Sequence, residues 1–422
     1  MSVEVLSFGC RLNGVEAETM RARAVAAGLS DLVLVNSCAV TAEASRQVRQ
    51  AVRRAARERP EARIVVSGCG AEVETATFAS MPEVGTVLGN AEKMAPDIWE
   101  RLRDGRLGRV ETGGLARAVR LEQAASDAGA GRVRAFVEVQ NGCDHACTFC
   151  TIPAGRGRSR SASREAVIAS VRAARDAGAR EVVLTGVDIT AYGRDFDPAA
   201  TLGGLVQAIL RAVPELPRLR LSSIDSVEVD EDLLDALANE PRLMPHLHLS
   251  LQAGDDMVLK RMKRRHSHDD AVRFCERVRA VRSDIVFGAD LIAGFPTETE
   301  AMFGRSLDLA RACGLTHLHV FPYSPRPGTP AARMPQVAPG TVRERAARLR
   351  EAGDAAFATH LAGEIGRTRS VLVEGSGLGR TEGFAPVRFA SPPAKGTLAP
   401  AAIVGHDGRA LLAEIRPVPA RP

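Results

Sequence analysis

Six stretches in the middle of the chain, RAFVEVQ, EVVLTG, RLRLSS, HLHLSL, DIVFGADLI and LTHLHVFPY, read as short apolar strands. Helical patterns such as SREAVIASVRAARDAG and ETEAMFGRSLDLARACG separate them. Six strand-helix units in succession suggest an α/β architecture built on a partial (β/α)6 barrel of parallel strands, residues 132–362. In such barrels the active site lies at the C-terminal ends of the strands.

The first of these strands runs directly into QNGCDHACTFCTIPAGRGRSRS, with Cys143, Cys147 and Cys150 in the pattern C-x3-C-x2-C. Three thiolates in one short loop can wrap three irons of a cubane cluster and leave the fourth iron without a protein ligand. An iron with a vacant position can bind a chelating substrate as well as pass electrons. A structural zinc is the competing reading. It needs four ligands, but His145 lies inside the loop on a spacing that would strain a shared tetrahedron, and no second C-x2-C pair follows. A disulfide would pair two cysteines and strand the third. The spacing resembles that of the radical S-adenosylmethionine (SAM) superfamily, in which such a cluster binds SAM.

Ahead of the barrel, VEVLSF, DLVLVN and ARIVVSG read as three buried strands of a small α/β domain, residues 1–111, with an Arg-rich amphipathic helix between the last two. Each strand ends in a cysteine: Cys10 in SFGCRLN, Cys38 in NSCAVT and Cys69 in SGCGAE. Parallel strands present their C-terminal ends on one edge, so three residues far apart in sequence can converge there as a second cluster site. Taken singly, a cysteine at a strand end is also an ordinary small buried residue. Cys275 and Cys313 fall within helical patterns and read as core.

GCRLN, NSCAVT, SGCGAE, QNGCDHACTFCTIP and RGRSRS together, in that order and over nearly the whole chain, resemble the radical SAM methylthiotransferases. The resemblance implies an auxiliary 4Fe-4S cluster on Cys10, Cys38 and Cys69 beside the SAM cluster on Cys143, Cys147 and Cys150. GCRLN, LTGVDI, RLSSID and HLHLSLQAGDDMVLKRMKRRH look most like the branch that methylthiolates C2 of threonylcarbamoyladenosine at tRNA position 37, next to the anticodon. The branches acting on isopentenyladenosine or on a ribosomal-protein aspartate carry different residues there. A noncatalytic iron-sulfur RNA-binding protein is a further alternative, which the open-iron spacing disfavours. The chain departs from the family in a short interval between Cys10 and Cys38, in PAGRG after Ile152, and in Ala253 where serine is common.

Polar residues and glycines at the strand ends of the barrel are candidates for holding SAM or substrate: Gly186, Asp188, Ser222, Gln252 and Asp290. A turn or a helix cap accounts for any one of them equally well, and no histidine is assigned a catalytic role. A net charge of +5 is unevenly placed, with nine Lys/Arg against three acids between Lys260 and Arg282. A solvated helix face explains a single such run; the combination of patches suggests an RNA partner. Arg156, Arg158, Arg160, Lys260, Arg261 and Lys263 are the expected phosphate contacts.

Residues 112–131 are rich in Gly and Ala and read as a linker. Residues 363–422 contain short strands with Gly/Pro turns and no helix, as in a small β-barrel, and resemble the RNA-binding TRAM domain. Eight Lys/Arg against five acids permit phosphate contacts, and Phe384 and Phe389 are the aromatics available for base stacking. No apolar run approaches eighteen residues and the N-terminus lacks a signal-peptide pattern, so a soluble cytoplasmic protein without a membrane partner is expected. The tRNA anticodon loop, an electron donor such as flavodoxin or ferredoxin, and a sulfur source are the implied partners.

Overall fold

The computed structural model describes residues 3–118, 121, 126 and 131–415. Its N-terminal sheet is parallel, with strands β1 (Val3–Ser7), β2 (Leu32–Ser37), β3 (Arg63–Gly68), β4 (Thr86–Leu88) and β5 (Val110–Glu111) in spatial order of sequence. The two last strands are too short to stand out as apolar runs. In β2, Val33 and Val35 pack against Val48, Val52 and Phe78 on one face, whereas Leu32 and Leu34 pack against Met20, Ala24 and Trp99 on the other. Helices Arg11–Ala26 and Ala42–Glu58 therefore cover opposite faces, which is why β2 reads as continuously apolar instead of alternating. Thr41 caps the second helix, its Oγ1 accepting from Ala44 N at 3.1 Å.

The strand ends are level. Ser7 pairs with Asn36 and Ser37 with Gly68. Cys10, Cys38 and Cys69 thus leave the sheet from a single edge.

The central region contains β6 (Arg134–Asn141), β7 (Arg160–Ser161), β8 (Glu181–Gly186), β9 (Arg218–Leu221), β10 (Ser223–Ile224), β11 (His246–Gln252), β12 (Val286–Ala293) and β13 (Leu315–Pro322). They form two four-stranded leaves, β7-β6-β8-β9 and β10-β11-β12-β13, parallel except for β7. The third expected strand, RLRLSS, changes leaves at Ser222, whose N–H donates to Leu184 O at 3.0 Å. With that break, the six expected strands form the open wall of a partial barrel around one large core that includes Val137, Leu184, Leu221, Leu249, Ala289 and Leu315. Cys275 and Cys313 are fully buried in that core.

Strands β14 (Thr368–Gly375), β15 (Leu378–Arg380), β16 (Pro386–Phe389), β17 (Leu398–His406) and β18 (Leu411–Ile415) close into a separate barrel in the order β14-β15-β16-β18-β17. It docks on the N-terminal ends of the central strands. Arg218 Nη2 donates to Ser370 O at 2.6 Å, and Arg220 Nη2 to Glu382 O at 3.0 Å. The small barrel therefore sits at the end of the wall opposite the cysteines. This overturns the expected role of its aromatics: Phe384 packs beneath the guanidinium groups of Arg380 and Arg220, at 4.3 and 4.8 Å, and Phe389 is buried in the small barrel's core. Neither presents a free face to a base.

At the other end the N-terminal domain covers the mouth of the wall. Ala42 N donates to Ser324 Oγ at 3.1 Å, and Arg326 pairs with Glu74. Of the expected linker, residues 119–120, 122–125 and 127–130 lie outside the described residues; Leu121 bridges to Ala162 and Ser126 to Val137. No helix among the described residues is long and apolar enough to cross a membrane.

Candidate metal centres and the cavity between them

Strand β6 ends at Asn141 and delivers the chain into the cysteine loop through Gly142, whose φ of 77° and closeness to the Arg158 carbonyl leave no room for a side chain. Cys143 N donates to Gly157 O and Cys150 N to Cys147 O, both at 3.1 Å. Backbone N–H groups of His145 and Ile152 point at the sulfurs of Cys143 and Cys150, each at 3.4 Å. The loop leans on helix Asp256–Met262, where Thr148 N reaches Met262 O at 3.1 Å and Thr148 Oγ1 reaches Arg261 O at 2.8 Å.

All eight cysteines are free thiols, which removes the disulfide reading. His145 turns to Asp188, at 2.8 Å, and toward Glu228, at 3.7 Å. Cys143, His145 and Asp188 hold donor atoms within 4.8 Å of one another, a mixed set that leaves out Cys147 and Cys150. Three soft thiols with no fourth thiol in the loop fit three irons of a cubane better than they fit a closed zinc tetrahedron. Burial pushes the Cys143 thiol up to about 12, with Asp188 adding to it, and the Cys150 thiol up to about 11. Metal binding at these groups must therefore displace protons.

The second triad is built on the level edge of the N-terminal sheet. Cys10 stands at the N-cap position of helix Arg11–Ala26, whose partial positive end favours an anionic centre. Gly9, with φ 86°, lies so near Cys38 that an added Cβ would be 2.6 Å from its sulfur. Val40 N approaches Cys38 Sγ at 3.5 Å. Burial pushes the Cys38 thiol up to about 11.

Helices Cys69–Val73 and Ile152–Arg156 pack on each other across the domain boundary, with Gly155 against Cys69. The two triads are thereby neighbours, and the Cys150 thiol is raised in part by the charge of Cys69.

Two of the expected phosphate contacts are corrected here. Arg156 is only 1% exposed and Arg160 only 6%. Arg160 donates to the carbonyls of Arg158 and Arg156, at 3.0 and 3.1 Å. Arg156 donates to Glu16 and, through Nε, to Cys69 Sγ at 3.1 Å. Glu16 also takes Lys93 Nζ at 2.7 Å; although burial alone would raise it, the two cations hold its carboxyl at about 2. Beside them Glu138 is pushed up to about 7 by burial and by Glu16. In contrast Arg158 is 89% exposed in its side chain, and Lys260 and Lys263 are exposed. Arg261 is half-buried, its Nη1 on Thr297 Oγ1 at 2.8 Å.

A cavity of about 800 Å³ opens between the domains, bounded by Cys10, Cys38 and Arg11 on one side and by Gly186, Ser222 and Asp290 on the other. A smaller cavity of about 270 Å³ beside it is lined by Gln252, Phe149, Tyr323 and again Asp290. Asp188 lies instead at the cysteine loop, its carboxylate 4.0 Å from Cys143 Sγ. Asp290 Oδ1 is flanked by His248 Nε2 at 2.9 Å and His319 Nδ1 at 3.2 Å. Burial would raise this carboxyl, but the two imidazoles hold it at about 2.

Glu16, Arg11 and His248 were missed in the sequence, His145 stood out there only as a candidate zinc ligand, and Arg264 only as part of a basic run. For Glu16 a signal existed, since it shares the buried face of its helix with Leu12, Val15 and Met20. Nothing in that run marked Arg264 for the site; its Nη1 lies 3.8 Å from Cys147 Sγ while Nη2 binds Asp225 at 2.9 Å.

Residues 137–310 match the family model of the Radical SAM superfamily, and residues 2–89 match that of the Uncharacterized protein family UPF0004. The chain is 43% identical over 404 residues to threonylcarbamoyladenosine tRNA methylthiotransferase MtaB of Rickettsia prowazekii, covering 96% of this chain and 95% of that protein. The protein of the same name from Thermotoga maritima is 33% identical, over 88% of this chain and 86% of its own length. Among solved structures, the radical S-adenosylmethionine methyltransferase TsrM of Kitasatospora setae, with tryptophan and a SAM analogue bound, gives a TM-score of 0.55 at 17% identity. That match covers 76% of this chain and 68% of the other, and is a likeness of fold.

Proposed function

The chain belongs to the radical SAM threonylcarbamoyladenosine tRNA methylthiotransferases, and from that premise we propose that its two cysteine triads hold the two 4Fe-4S clusters of the reaction. The enzyme adds a methylthio group to C2 of N6-threonylcarbamoyladenosine in tRNA, with SAM and two clusters as cofactors. Cys143, Cys147 and Cys150 are the ligands of one cluster, and Cys10, Cys38 and Cys69 those of the other. When bound, the first supplies an open iron for the amino and carboxylate groups of SAM and the electron that cleaves it, and the second supplies the sulfur.

The observation that carries this assignment is the packing of Cys69 against Gly155, which sets the two triads side by side at the domain boundary, with Cys10 and Cys38 on the wall of the cavity. The protein's contribution is placement and exclusion of water. Gly186, Ser222 and Asp290 line the cavity where SAM and the base meet, Asp188 flanks Cys143, and Gln252 closes the adjoining pocket. The substrate base carries a threonyl carboxylate. Arg11, on the cavity wall with its guanidinium 5.6 Å from the centre of the Phe136 ring, is the cation we assign to it.

The base is presented from the anticodon loop, flipped into the cavity as single-stranded recognition requires. Arg158, Lys260 and Lys263 form the exposed basic rim; Lys260 and Lys263 sit on the helix that braces the cysteine loop and at its C-terminal cap. The C-terminal barrel, at the far end of the wall, engages tRNA away from the anticodon. A flavodoxin or ferredoxin as electron donor and a sulfur source are the further partners, and the enzyme works in the cytoplasm. Mass spectrometry of tRNA nucleosides from a deletion strain tests the activity: the methylthiolated nucleoside disappears and threonylcarbamoyladenosine accumulates. Loss of methylthiolated isopentenyladenosine in its place would assign the other tRNA branch.

A further inference from the structure

Arg156, expected on the surface, is instead among the most deeply buried charges of the molecule. Its guanidinium has five N–H groups and all five are used. Nε donates to Cys69 Sγ at 3.1 Å; Nη1 to Glu16 Oε1 at 2.8 Å and Asn141 Oδ1 at 3.1 Å; Nη2 to Asn13 Oδ1 at 2.6 Å and Glu16 Oε2 at 2.9 Å. A fork saturated in this way cannot rotate to reach another ligand, so Nε is fixed on the sulfur.

The charges around it do not balance locally. Glu16 is shared between Arg156 and the fully buried Lys93, and Glu138 beside them is pushed up to about 7, so with Glu138 protonated two cations face one carboxylate held in its charged form. The surplus positive charge lies beside Cys69. The partners also divide between domains: Asn13, Glu16, Cys69 and Lys93 come from the N-terminal domain. Asn141 and Arg156 come from the two ends of the cysteine loop of the core. The contact to the sulfur therefore exists only when the domains are docked.

We propose that Arg156 is a positioning residue that sets the reduction potential of the auxiliary cluster through Cys69 and makes that potential conditional on domain docking. This rests on the reading of Cys69 as a cluster ligand. Reduction adds negative charge to a cluster, and a hydrogen bond from a buried cation to a buried ligating sulfur favours the reduced state. Docking thus raises the potential of the sulfur-bearing cluster when it faces the cavity, and undocking lowers it.

The test is a potentiometric titration followed by electron paramagnetic resonance. It uses the full chain with Cys143, Cys147 and Cys150 replaced by Ala, so that only the auxiliary cluster remains. At a fixed poise, Arg156→Gln should lower the ratio of reduced to oxidised cluster by about tenfold or more, a shift of about 59 mV for one electron. Arg156→Lys, which keeps the charge but loses the fork, should fall between, and Arg311→Gln, at an exposed guanidinium on the outer helix Glu300–Ala312, should leave the ratio unchanged. An unchanged ratio in Arg156→Gln with its four irons intact would overturn the proposal.

A second measurement needs no substitution at Arg156. With 15N-labelled arginine in the otherwise native chain, the reduced auxiliary cluster should show hyperfine coupling to one guanidinium nitrogen. A cluster present without that coupling also overturns the role of Arg156. Four irons per native chain instead of eight would sink the ligand assignment on which it rests.

Discussion

Gly155 and Cys69 touch across the domain boundary, so closely that a methyl group on Gly155 would lie 3.3 Å from the Cβ of Cys69. A larger side chain there has to push the helices Cys69–Val73 and Ile152–Arg156 apart, at a cost of roughly 1–3 kcal/mol. Gly155→Leu should therefore separate the two half-reactions. Reductive SAM cleavage continues, while methylthiolated product falls on the order of 10²-fold because sulfur and target carbon no longer meet. Equal loss of 5′-deoxyadenosine and product would show instead that the substitution damages the SAM site.

Arg11→Gln removes the cation assigned to the threonyl carboxylate. A charged hydrogen bond of about 1.5–3 kcal/mol is lost, so KM for the modified tRNA should rise by about tenfold or more. SAM cleavage without tRNA should be unaffected, and Arg11→Lys should recover part of the affinity. An unchanged KM would remove Arg11 from substrate recognition.

Exposed and buried basic residues should separate in the salt dependence of tRNA binding. Replacing Arg158, Lys260 or Lys263 by Gln should each reduce the slope of log affinity against log salt by about 1. Arg160→Gln should leave the slope as it is, because that guanidinium is spent on the Arg158 and Arg156 carbonyls. A slope that moves only with Arg160 would contradict the assigned surface.

Glu138 contributes a pH dependence of known sign. Its carboxyl is 1% exposed, Oε1 accepts from Asn141 at 2.6 Å, and Oε2 has no partner among the described residues. Burial and Glu16 push it up to about 7 from an ordinary 4.5. The folded state therefore holds the proton more tightly than the unfolded one. The resulting stability is complete below about pH 4.5 and is lost as pH rises through about 7. Glu138→Gln, neutral and able to accept the same hydrogen bond, should match the native Tm near pH 5 and exceed it at pH 8. Parallel Tm curves for the two proteins across that range would refute this.

The sequence revealed those parts of the fold and site that depend on pattern. Three apolar runs ending in cysteine sufficed to place Cys10, Cys38 and Cys69 on one sheet edge, because parallel register levels the strand ends. The six core strands were likewise legible, apart from the change of leaf at Ser222. What stayed hidden depends on docking. Arg156 follows the cysteine loop in an Arg-Gly run that looks solvent-exposed, and only a carboxylate from another domain, Glu16, makes its burial possible. Phe384 was equally opaque: its neighbours Arg134 and Arg220 come from the start of β6 and from β9, far away in sequence.

Sulfur insertion and SAM cleavage are assigned to separate triads that lie side by side at the domain boundary. Replacing Cys10, Cys38 and Cys69 together by Ala leaves the loop of Cys143, Cys147 and Cys150 untouched. Anaerobic turnover with tRNA carrying threonylcarbamoyladenosine then reads 5′-deoxyadenosine and methylthiolated nucleoside side by side. Measurable 5′-deoxyadenosine and no methylthiolated nucleoside are expected. Methylthiolated nucleoside from the folded triple variant, shown to contain one cluster, would contradict this assignment.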